Sequence, residues 1–349
     1  MLIASLWQQF LRFKQQKARS APLFQPFLEA LEDRCVPSLT VNQFPVGDYP
    51  GPITPGKNGT LWVGGIASFS EVNLATHKIT QFMAPGLTNG PQGLTLGPDG
   101  NLWFTENNGK IGEFNVTTHV AREFTIESSF LADVTQIATV PDGNIWFTEQ
   151  GDDKVGEINP TSHAFLEFTL PTPDAGPYGI TVGPDGNLWF TEVYADQIGM
   201  IDPHTHAIQE FAIPTRDQTP IGITVGPDRN IWFDENNGVG AINPRTHAIQ
   251  EFAVSTTNTP MLGIAASSNG NVWFTERSGV VGEINPKTHA IQQFQIASYS
   301  GDTYSIVNAA DGNLWFTEPD FPPQAKIAEI VLNPHSPTPH SGHTRGGST

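Results

Sequence analysis

Six glutamates recur at one position of a repeated phrase: Glu106, Glu149, Glu192, Glu235, Glu276 and Glu318. The phrase is clearest at Gly183–Glu192, GPDGNLWFTE, where the glutamate closes a short run of alternating side chains. Asp133, Asp152, Asp153, Asp174, Asp217 and Asp302 lie in segments that flank these phrases. Carboxylates crowded together must find hydrogen-bond donors, take up protons or recruit a cation. Two kinds of chemistry therefore compete. Each glutamate accepts hydrogen bonds from backbone N–H groups of the next repeat, or the set forms an acidic funnel that gathers a hard cation through oxygen ligands. A second recurring group is the histidine of Thr-His or Ser-His, at His77, His119, His163, His206, His247 and His289. These read as turn residues, in places that Gly or Asn would also suit. No Ser-His-Asp arrangement, phosphate-cradling glycine loop or basic-aromatic stripe emerges from the sequence.

The elements that position these groups follow from the tryptophans. Trp62, Trp103, Trp146, Trp189, Trp232, Trp273 and Trp315 are spaced by 41, 43, 43, 43, 41 and 42 residues. A period in this range signals a radial or stacked repeat. Each unit reads as four short strands, with Asp-Gly supplying the positive φ that a tight hairpin demands. The expectation is an all-β, seven-bladed β-propeller of four-stranded blades over residues 39–334. The last unit lacks an outer strand, and residues 39–46, with Phe44 at the place of Phe82, Phe124, Phe168, Phe211, Phe252 and Phe294, supply it. A ring closed in this way has no long free edge. Antiparallel strands put the glutamates on one face and the histidines on the other. The first unit breaks the pattern, with Gly64-Gly65 where Thr-Glu stands elsewhere.

Charge narrows the partners. The 349 residues carry a formal net charge of −18, and because residues 1–38 are basic, the remainder stands near −20. Such a surface disfavours nucleic acid and anionic lipid. One cysteine, Cys35, excludes internal disulfides. No apolar run is long enough to cross a bilayer. Residues 1–38 read as a leader and residues 335–349, rich in Ser, Thr, Pro, Gly and His, as a disordered tail. Leu28–Ser38, LEALEDRCVPS, resembles a short N-terminal motif of large exported bacterial proteins. Export or association with the cell envelope is therefore expected, with a cytoplasmic location as the alternative.

The units GITVGPDGNLWFTE, the KIGEFN-type strands after them and the IQEF strands resemble the virginiamycin B lyase family, a seven-bladed propeller related to NHL-type repeats. That resemblance implies a metal-assisted elimination that opens streptogramin B antibiotics, and hence a role in antibiotic resistance. It also implies two histidines just before the inner strands of the last two blades. Here Leu262 and Tyr304 occupy those places. It further implies a Mg2+ ion held by Asp302, two residues before Tyr304, and by Glu318 at the end of the last second strand. Tyr304 is the candidate acid–base group, although a phenol with a pKa of about 10 is a poor base at neutral pH.

Three functions follow. The preferred one is an exported, monomeric propeller that lacks the family histidines and binds a small neutral or cationic ligand, or a cyclic peptide, on the acidic face. The alternatives are a Mg2+-dependent lyase acting on cyclic depsipeptide lactones, and a structural or protein-interaction repeat module.

Overall fold

A computed structural model describes residues 39–87, 89–127, 133–254, 261–277, 279–296, 303–319 and 323–332. The leader, the tail and Asp302 lie outside the described residues. Within Leu39–Thr349 the chain forms seven four-stranded antiparallel sheets, the blades of one propeller. Blade four is representative: an inner strand Pro177–Val182, a second strand Leu188–Glu192, a third Gln197–Ile201 and an outer strand Ile208–Ala212. The only helical turn among the described residues is Gln150–Asp152, between the second and third strands of blade three.

The Gly-Pro-Asp-Gly phrase makes the inner hairpin. Gly186 takes a φ of 88° that a side chain would strain. The Asp185 carboxylate accepts from the Asn187 backbone and from the Trp189 indole at 3.2 Å, so one residue both closes the turn and anchors the tryptophan. Asp228 holds Trp232 in the same way at 2.9 Å.

The ring closes as the sequence implies. Thr40–Pro45 lies antiparallel to Lys326–Val331, with Phe44 opposite Ile327, and completes the sheet of Ile306–Asn308, Leu314–Glu318 and Lys326–Val331. Phe44 stacks on Trp315, with ring centroids 5.5 Å apart.

Side chains on the second strand alternate between two neighbouring blades. Trp189 packs into the apolar cluster of blade five with Ile231 and Phe233, whereas Phe190 packs with Trp146 of blade three. The tryptophans of blades two to seven are almost completely buried. Each stacks on the outer-strand phenylalanine of its own blade, as Trp189 does on Phe211 at 5.7 Å.

The histidines then complete the joint. His247, from the turn of the next blade, lies 4.4 Å from the Phe211 ring. The same contact joins His119 to Phe82, His163 to Phe124, His206 to Phe168, His289 to Phe252 and His77 to Phe44, at 4.0 to 4.8 Å. All six histidines have φ between 54° and 59°. The turn role read from the sequence holds, and a stacking contact between blades is added to it.

Two substitutions separate these contributions. Trp189→Ala should cost about 3–5 kcal/mol, the usual range for emptying a large buried aromatic site. His247→Asn keeps a residue that tolerates positive φ but removes the stack, and should cost about 0.5–1.5 kcal/mol. Denaturant titration of each variant measures both.

Candidate functional site

The starts of the inner strands and the ends of the second strands meet on one face around the ring axis. In the repeated Thr-Glu pair the two side chains point to opposite sides of the strand. The threonine reaches the following blade: Thr105 donates to the Thr135 carbonyl at 2.6 Å and Thr191 to the Ile221 carbonyl at 3.0 Å. This corrects the expectation that the glutamates brace the next blade, because the pleat turns them the other way. Each lies instead over the third strand of its own blade, toward the outer strand. Glu149, Glu192 and Glu235 lie close to where side chains would stand on Gly156, Gly199 and Gly240, so glycine is needed there to admit the carboxyl and the adjacent phenylalanine. Burial raises all three carboxyl pKa values to about 8, and the acidic outer-strand residue opposite adds to the shift.

Two loop aspartates are engaged by backbone. Asp153 accepts from the N–H groups of Asp174 and Gly176, and Asp196 from those of Asp217, Gln218 and Thr219. In blade one Asp48 enters from the preceding loop to the space left by Gly65, and bonds Ser68 Oγ at 2.9 Å. It is the seventh carboxylate of the ring, and the interrupted Gly-Gly phrase hides it from repeat alignment.

Two cavities open on this face. One, of about 420 Å3, lies at the broken first blade and is lined by Tyr49, Pro50, Ile66, Pro91, Tyr304 and Pro319. The other, of about 440 Å3, runs along the inner strands and includes Tyr178, Leu262, Arg277 and Tyr304. Tyr304 lines both. Tyr178 lies near Tyr304, and burial followed by that neighbour pushes the Tyr178 phenol up.

The virginiamycin B lyase family model matches residues 77–335. This chain belongs to that family. A virginiamycin B lyase from Staphylococcus aureus is 30% identical over 85% of this chain and 100% of its own, with a TM-score of 0.76. A catalytically inactive histidine-to-alanine variant of the S. aureus enzyme with quinupristin is likewise 30% identical, over 85% of this chain and 100% of its own, with a TM-score of 0.77. The extracellular domain of a one-component system from B. thetaiotaomicron shares the fold at 15% identity and a TM-score of 0.69, covering 84% of this chain and 40% of its own. No curated protein matches this sequence.

At the positions where the lyase resemblance implies histidine, the structure puts Leu262 and Tyr304 at the wall of the central cavity. Glu318 is buried and turned away from that cavity, toward the outer strand. Both of its oxygens accept from Gln43 Nε2, at 2.7 and 2.8 Å. Its pKa is raised by burial, against the lowering effects of Gln43 and Lys326. A carboxylate held in this way does not fit a magnesium ligand unless Gln43 releases it. Among the described residues, which exclude Asp302, no group of three or more His, Cys, Asp or Glu side chains is placed to hold a metal ion.

One acidic residue near the cavity escapes a search for the repeated glutamate. Asp234 replaces threonine in the fifth copy of the lyase-like phrase, reading IWFDE. It accepts from the Ile221 and Gly222 N–H groups at 2.7 and 2.8 Å. Unlike threonine, an ionised aspartate cannot donate to the following blade, where the equivalent carbonyl belongs to Leu262. Its second oxygen is buried without a hydrogen-bond partner. Burial raises its pKa to about 7, offset in part by the two backbone donors.

The folded-state pKa lies above the unfolded value of about 4, so stability falls as pH rises from about 4 to about 7. Asp234→Thr should therefore be nearly neutral at acid pH and stabilising by a few kcal/mol, to order of magnitude, above pH 7. Urea titrations at the two pH values check this.

Proposed function

We propose that this chain is an exported ligand-binding propeller of the streptogramin-lyase type that works without the family's histidine base. The observation that carries the reading is Tyr304. It takes the second histidine position and lines both cavities, sharing the wall of the second with Tyr178. Each cavity has the size usual for a small-molecule site. Prolines and tyrosines at the first offer flat apolar faces, and the surrounding acidic surface favours a neutral or cationic guest over an anion. A cyclic peptide suits such a site. A similar protein, altered at one histidine and catalytically inactive, was crystallised with quinupristin. Binding and turnover are thus separable on this scaffold. Export rests on Leu28–Ser38, the motif resemblance in the leader.

The lyase alternative asks Glu318 to leave Gln43 for magnesium and asks Tyr304 to serve as base. The scaffold alternative needs neither cavity. Calorimetry with quinupristin on the full chain distinguishes ligand binding from a scaffold role. The reading predicts binding without added magnesium, weakened about tenfold or more by Tyr304→Ala, a loss of at least about 1.4 kcal/mol. No heat of binding would remove the ligand-binding reading and leave the scaffold.

A further inference from the structure

The six second-strand glutamates do not have the same partner. In blade six the partner is Gln293, which donates Nε2–H to Glu276 at 2.5 Å, and in blade seven it is Gln43, which donates to Glu318 at 2.7 Å. Gln293 stands opposite Gly282 in the strand register, and Gln43 opposite Ala328. Blades three, four and five put a glutamate at that same register position. Glu167 stands opposite Gly156, Glu210 opposite Gly199 and Glu251 opposite Gly240. Residues directly opposite on antiparallel strands project to the same face. Two carboxyls therefore meet where blades six and seven place a carboxylate and an amide. The amide brings its own hydrogen. A carboxylate does not.

We propose that the glutamate pairs Glu149–Glu167, Glu192–Glu210 and Glu235–Glu251 each hold one shared proton at neutral pH, so that an O–H···O bond takes the place of the amide bridge of blades six and seven.

Two observations support this independently of titration. Both carboxyl oxygens of Glu149 and Glu192, and Oε1 of Glu235, are buried with no conventional donor. A buried carboxylate left in that condition is costly, whereas a proton between two carboxyls satisfies both. Two of the pairs also have an asymmetry that assigns the proton. Glu210 accepts from the Thr172 backbone at 3.0 Å and from the Thr172 hydroxyl at 2.7 Å, so its oxygens already have donors and the shared proton is assigned to Glu192. In blade three Lys154 bonds Glu167 at 2.9 Å and does the same for that partner. In blade five the third strand begins at Gly238, where blade three has Lys154, so no cation of that kind is supplied to Glu235 and Glu251.

The other charged groups near the pairs are few. Asp152 acts on Glu149 along with Lys154 and Glu167. Asp153 acts on Glu192 along with Glu210. Asp234 and Asp196 act on Glu235 along with Glu251. Every one of these apart from Lys154 is acidic, and each acidic neighbour strengthens retention of the proton. The raised pKa values, near 8, agree in direction. Folded-state values above the unfolded one, which is about 4.3, mean that the pairs oppose folding progressively as pH rises through about 4 to 8. Above that range both members of each pair are ionised and repel across the third strand. The propeller is thus built to be firmer in acid than in alkali.

Infrared difference spectroscopy on the full chain reads the proton directly. A protonated carboxylic acid band should be present at neutral pH and fade above about pH 8. The double variant Glu210→Gln, Glu251→Gln recreates the amide bridge of blades six and seven in blades four and five, so it is expected to fold. It should release about two fewer protons than the parent between about pH 6 and pH 9. It should also lose most of the parent's fall in melting temperature over that interval. A parent with no acid band at neutral pH overturns the proposal. So does a double variant with the parent's proton release, or a band that disappears on adding Ca2+ or Mg2+ at neutral pH, which would assign the pairs to a cation.

Discussion

The constraint on which the molecule depends is the two-sided second strand of each blade. A strand has a period of two residues, so five residues wedged between neighbouring sheets must satisfy both sides at once. Trp189 and Thr191 belong to the interface with blade five, and Phe190 to the interface with blade three. Glu192 shares the side of Phe190 and lies over Gly199. The tight turn before the strand fixes the register through Asp185 and the Trp189 indole. A shift of one residue would exchange every one of these partners. Closure by Thr40–Pro45 extends the same arrangement to the last blade and leaves no blade with a missing outer strand.

Much of this could be read from the residues. The tryptophan period implied seven units, the Gly-Pro-Asp-Gly phrase implied hairpins, and Phe44 identified the strand that closes the ring. These features are local and repeat, so each copy supports the others. Contacts between blades were harder to read. The histidines announced a turn, but nothing within one unit shows that His247 lies on Phe211 of the blade before it. The brace reading of the glutamates, one of the two the sequence leaves open, points to the wrong neighbour because Thr191, one residue earlier, faces that blade instead. Asp48 was invisible because it reaches its place from a loop outside the repeat.

The candidate site is marked by departures from the repeat. Gly64-Gly65 opens a cavity, Asp234 replaces a threonine, and Leu262 and Tyr304 stand where the lyase resemblance implies histidine. The architectural positions, by contrast, are repeated with little change. Glu318 belongs with the architecture: its carboxylate is committed to Gln43, the closing strand's own contribution to the last blade. One strand at the start of the ring thus both seals the fold and occupies the group that metal chemistry would require.

The central claim is that the open face retains a ligand site while the acid–base machinery of the lyases is gone. Chromatography of quinupristin after incubation of the full chain with Mg2+ tests it most directly. The account predicts that the ligand is recovered with its ring intact. Accumulation of the ring-opened linear product at a rate proportional to protein concentration would contradict it, and would make Tyr304 the first residue to examine as the base.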